Sequence, residues 1–89
     1  MYSANVEIYS DQPNAAVMRH PDRRFPGVLV QGDTLRLLAQ QAADSLAVLP
    51  TGAWDAMEEL EDLKSRLEAL VEHYESAMAA HGLELPYVR

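Results

Sequence analysis

No cysteine occurs in this chain. The usual staple of small secreted domains is therefore missing, and so is any thiol nucleophile. Glycine is scarce: Gly27 and Gly32 are wrongly spaced for the G-x-x-x-x-G-K-[ST] loop that cradles phosphates. Nor is there a G-x-S-x-G elbow to present a serine. No stretch approaches the ~20 apolar residues that span a bilayer. The segment Met1-Tyr2-Ser3-Ala4-Asn5-Val6-Glu7 carries neither the positive charge nor the apolar run of a signal peptide. These absences make the cytoplasm the expected location, with no membrane partner, and the abundance of Ala, Leu and Arg points to a GC-rich bacterial genome.

What is present is a length of 89 residues and a net charge of -7. That length suits a single domain, 1–89. A chain this small buries only a little over ~60% of its unfolded surface, so close packing or oligomerisation is expected to supply stability. The charge is uneven: residues 1–49 carry four Arg against five acids, and residues 50–89 three basic residues against nine. A chain of this sign is repelled by phosphate backbones, which argues against nucleic-acid partners.

Hydrophobic periodicity predicts an α+β protein. The strand-rich segment is 1–31. Asn5 to Ser10 alternates polar and apolar, Asp11-Gln12-Pro13-Asn14 is turn-rich, Ala15 to Arg19 is a weaker strand closed by Pro21, and Val28-Leu29-Val30-Gln31 is apolar. Pro26-Gly27 suits the centre of a type II turn. An antiparallel sheet of two or three strands follows. A first helix is predicted over 33–49, with Asp33 as its N-cap, an apolar face from Leu35 to Leu49, and Pro50 as its stop. A second, antiparallel to it, is predicted over 52–81, capped by Thr51 or Asp55 and ended by Gly82. The tail, 82–89, is apolar enough to dock as an extended segment.

In the second helix Ala53, Ala56, Leu60, Leu63, Leu67, Leu70, Tyr74, Ala77 and His81 alternate at spacings of three and four, a heptad-like seam flanked by Met57, Val71 and Met78. About thirty helical residues make a rod of roughly 45 Å, against a diameter of about 30 Å for a body of this size. The first helix is only ~24 Å long and covers about half of the seam. A homodimer through the second helix, with Leu60, Leu63, Leu67, Leu70 and Tyr74 as the self-association seam, is the expected way of hiding the rest.

Candidate chemistry is sparse. His73 has no ligating residue three or four positions away, and His81 has only Glu84, beyond Gly82, so no metal is expected. Nothing calls for a cofactor, and nothing compels an enzyme. Asp55, Glu58, Glu59 and Asp62 form an acidic face opposite the leucines. Asp62 with Arg66 and Glu61 with Lys64 are expected to balance such charges in part. This face is the candidate docking surface for a basic protein partner. Arg19, His20, Arg23 and Arg24 form the one basic cluster, an alternative site for an anion, since arginine forks suit oxyanions; the competing possibility is local pairing with Glu7, Asp22 or Asp33. Trp54, at the turn between the helices, reads as a packing anchor.

Arg24-Phe25-Pro26-Gly27, followed by Gln31-Gly32-Asp33-Thr34-Leu35, resembles a family of small uncharacterised bacterial proteins, a domain of unknown function, that share R-F-P-G and Q-G-D-[ST]-L patterns. The resemblance spans Val6 to about Gln41. It implies a turn, a buried strand and a capped helix start, and it carries over no activity and no site residue. From the residues themselves the expected function is a non-catalytic protein-interaction module of immunity, inhibitor or regulatory type.

Overall fold

The computed structural model describes residues 1–89, in the order β1 (Glu7–Ser10), β2 (Ala16–Arg19), β3 (Gly27–Leu29), α1 (Gly32–Ala47) and α2 (Trp54–Ala80). This is the expected α+β class, with a three-stranded sheet. The chain divides into two compact units, Met1–Gln31 holding the strands and Gly32–Arg89 holding the helices.

In the first unit the strands lie in the order β1-β2-β3, each pair antiparallel. The β1–β2 turn is closed by the Ala15 N–H donating to the Gln12 carbonyl at 3.1 Å. Pro13 presets the second position of that turn, and Asn14, at φ 64°, supplies the left-handed third one, which asparagine tolerates better than most residues. Tyr9 is left over between the pairs Ile8↔Met18 and Ser10↔Val17, a bulge in β1. The β2–β3 turn is closed by the Arg23 N–H on the His20 carbonyl at 2.9 Å, with Pro21 at its second position. The type II turn expected at Pro26-Gly27 is therefore absent. Gly27 has no positive φ and already belongs to β3, paired with Met18. Ladder formation needs an extended backbone at that position, and it overrides the local Pro-Gly preference.

The second unit is an antiparallel helical hairpin. α1 starts one residue earlier than predicted, so Asp33 lies inside the first turn; its carboxylate accepts from the Thr34 N–H at 2.8 Å rather than capping from outside. Its C-terminal end falls short of Leu49. Val48 and Leu49 donate to the carbonyls three residues back, both at 3.3 Å, a tightened last turn before Pro50, whose ring disfavours helical backbone in the preceding residue. Gly52, at φ 93°, then reverses the chain, with the Ala53 N–H donating to the Pro50 carbonyl at 3.3 Å.

α2 begins at Trp54, later than expected, and neither Thr51 nor Asp55 caps it: the N-cap position is Ala53, which has no side-chain hydrogen bond to offer. The other end matches the sequence closely. Gly82 takes φ 65°, the Leu83 N–H donates to the Met78 carbonyl at 2.9 Å and the Gly82 N–H to the Ala79 carbonyl at 3.2 Å. Those are the two bonds of a Schellman ending. Replacing Gly82 by Ala is expected to cost about 1 kcal/mol through left-handed strain. Gly82→Asn should cost less, and equal melting temperatures for wild type and Gly82→Ala would show that the cap contributes nothing.

Packing between the helices is close because the residues turned inward on α1 are small. Gly32, Ala39 and Ala42 are its buried residues. α2 turns Leu60, Leu67 and Tyr74 toward them, together with Met57, Lys64, Val71 and Met78, and Ala53 at its N-cap position joins them, all half-buried. The inward face is thus the predicted seam rotated toward its flank. Leu63 and Leu70, which belong to the seam, stay 48% and 54% exposed, and no residue of α2 is buried. At ~1.5 Å per residue the helices are about 24 Å and 40 Å long, so α1 cannot cover its partner. Trp54, expected to anchor the turn, is instead 68% exposed.

The tail closes the hairpin. The Tyr87 hydroxyl donates to Glu75 Oε2 on α2 at 2.8 Å, and the Arg36 guanidinium of α1 lies 4.5 Å from the Tyr87 ring centroid. Arg89 Nε adds a looser pair to Glu75 Oε1 at 3.7 Å. No helix is long and apolar enough to cross a membrane.

Candidate functional site

α2 carries eight carboxylates against two cations between Trp54 and Ala80. Asp55, Glu58, Glu59 and Asp62 recur at helical spacing on the side away from α1, and all four are exposed. Their charges are not equivalent. Asp62 Oδ2 accepts from Arg66 Nε at 2.9 Å, as the spacing predicted, whereas Asp55, Glu58 and Glu59 take part in no ion pair. The predicted Glu61–Lys64 pair does not form. Lys64 reaches Glu68 Oε1 at 3.2 Å, one full turn further along, while its stem lies on the half-buried side of the helix.

The leucines and acids meet along one edge. Ala56, Leu60 and Leu63 share a shallow groove with Glu59, Asp62 and Arg66. Beside it, Leu38, Ala42 and Ser45 of α1 form a second groove with Leu60, Leu63 and Leu67. Leu60 and Leu63 line both. An apolar strip bordered by one unpaired carboxylate, Glu59, can seat an apolar side chain and attract a cation at the same time. Sequence spacing put the acids opposite the leucines as a whole; the rotation of α2 is what brings Leu63 round to their border.

The basic cluster separates into two groups. Arg19 lies opposite Glu7 in the β1–β2 register and is ion-paired to it, Nε donating to Oε1 at 2.6 Å. Hydrogen bonding to that carboxylate raises the Arg19 pKa still further above its ordinary value. This is the local pairing that competes with anion capture, and it removes Arg19 from the cluster. His20, Arg23 and Arg24 remain, together on the rim of a hollow in the sheet unit, and neither arginine has a carboxylate partner. The His20 ring accepts the Asp22 N–H at Nδ1, 3.2 Å away, which leaves Nε2 to carry the proton of the neutral ring.

Residues 1–87 match the model of a family of unknown function, DUF6959, and the chain belongs to that family. No curated protein and no solved structure matches it.

Proposed function

We propose that this member of a family of unknown function is a non-catalytic protein-interaction module, cytoplasmic and of immunity, inhibitor or regulatory type, that docks a basic partner along the outer edge of α2. One observation carries the proposal: Leu63 and Leu70 stand exposed on a helix with no buried residue of its own, and Leu63 shares a groove with Glu59, a carboxylate in no ion pair of the chain. Exposed leucine needs cover, and unpaired negative charge selects the sign of what covers it.

The exposed Leu63 and Leu70 also support self-pairing along the seam of Leu60, Leu63, Leu67, Leu70 and Tyr74, of which the other three already face α1. Two such helices bring like charges together, so salt should strengthen a homodimer and weaken a complex with a basic partner. A helical peptide with a leucine face and lysine flanks, paired with its glutamate-flanked twin, tests the sign directly, with the emission of Trp54 as the signal. The lysine peptide should bind, more weakly as salt rises, and Glu58→Lys with Glu59→Lys should reduce its affinity roughly tenfold or more. Leu63→Gln should weaken it as well. Indifference to the sign of the peptide would sink the docking proposal; sedimentation showing a dimer that tightens with salt would replace it with self-association.

A further inference from the structure

Outside the helices, the sheet unit carries a hollow of about 540 Å³, within the size range of small-molecule sites. Cross-strand partners in a sheet point to one face, so Met18, Gly27 and Ile8 share a face, and Val6, His20 and Leu29 follow by alternation. Val6, Met18, Leu29 and Phe25 supply the apolar lining. Gly27 makes the room: a Cβ built there meets nothing within 4 Å. Phe25 is 70% exposed, an unusual position for the only phenylalanine of a small chain.

Polarity is confined to the rim. The Arg24 guanidinium sits 5.1 Å from the Phe25 ring centroid, a stacking contact that occupies its face and leaves its N–H edge unused. Arg23 stands beside it with no acid to answer either charge, and His20 adds a donor at Nε2. A hollow lined by hydrocarbon with two uncompensated guanidinium groups at its rim is complementary to a molecule that joins an apolar body to a single oxyanion. Polyanions and anionic membrane surfaces are disfavoured by the net charge of -7. A small soluble amphiphile brings a single anionic group and avoids most of that repulsion.

We propose that this hollow binds an amphiphilic oxyanion, its hydrocarbon over Gly27 against Val6, Met18 and Leu29, and its carboxylate or phosphate held by Arg23 and Arg24. The proposal uses no residue of α2 and stands independently of the docking function.

The test is calorimetric titration of the full chain with decanoate and decyl phosphate, with decanol and acetate supplying body and headgroup alone. Decanoate or decyl phosphate should bind, with decanol and acetate each roughly tenfold or more weaker, since the charge-assisted hydrogen bond that decanol lacks and the buried hydrocarbon that acetate lacks each contribute at least that much. Preference between the two oxyanions identifies the headgroup. Gly27→Leu fills the hollow while keeping every charge, and strains nothing because φ at this position is not positive; it should abolish binding. Arg23→Gln with Arg24→Gln keeps the hollow and should remove the advantage of decanoate over decanol. Failure of both amphiphiles to bind, a decanoate affinity no better than that of decanol, or full binding in folded Gly27→Leu each overturns the proposal. If Gly27→Leu loses its fold by circular dichroism, the double arginine variant decides alone.

Discussion

Gly32→Ala should destabilise the helical hairpin by about 2 kcal/mol, lowering its melting temperature by roughly 10 °C. Gly32 is buried at the start of α1, and a Cβ placed there would overlap the ring of Tyr74 and stand 2.5 Å from its hydroxyl oxygen. No van der Waals contact tolerates that distance, so the ring or the helix must move. Intrinsic propensity pulls the other way, because Ala is the better helix former by about 1 kcal/mol. The sign of the effect is therefore diagnostic. In a Tyr74→Ala background the clash is gone, and Gly32→Ala should become neutral or stabilising. Thermal melts of the four proteins in that cycle measure the coupling directly. Additive effects would mean that Tyr74 does not lie over Gly32.

The second large effect is expected in alkali. Burial, followed by the hydrogen bond to Glu75, pushes the Tyr87 phenol up to about 12 from an ordinary 10.0. The folded chain then holds this proton where the unfolded chain has lost it. The stability it contributes is complete below about pH 10 and declines as pH rises toward about 12. A shift of that size corresponds to at most about 2.7 kcal/mol, and solvent at the half-buried ring reduces the expected loss to the order of 1 kcal/mol. Tyr87→Phe removes the titrating group along with its bond to Glu75. Near neutral pH wild type should be the more stable of the two, and the gap should close across the alkaline window. A gap that stays constant with pH would show that the phenol is free in the folded chain.

Much of this was legible in the residues. Alternation placed the first strand, turn residues and an apolar run placed the other two, the three-and-four spacing placed both helices, and Gly82 marked the Schellman end. The misses share one cause: each concerned a choice that only packing or pairing could make. Pro26-Gly27 has the local chemistry of a turn, but the ladder with Met18 takes Gly27 into β3. Lys64 has acids on both sides, and its orientation on the helix decided for Glu68. Gly32 could be read as the end of a strand, because nothing in the linear order reveals that Tyr74, distant in sequence, lies over it. The candidate sites show the same limit. Residue type pointed to the acidic face and to the arginine cluster, but not to Leu60 and Leu63 as the residues shared by two grooves, nor to the loss of Arg19 to Glu7. Those are outcomes of helix rotation and strand register.

The bare start of α2 bears on how the protein would respond to a partner. With Ala53 at the cap position, the amides of Trp54, Asp55 and Ala56 lack a side-chain acceptor, while the opposite end is tied down by two backbone bonds. Fraying should accordingly run from one direction, and deuterium should enter these first peptide groups well before it reaches the stretch preceding Gly82. Asp55 rides on that loosened turn, and Glu58 and Glu59 follow directly after it. Whatever seats itself there must quieten it, so a slowing of isotope uptake confined to this turn would report occupancy without any foreign label.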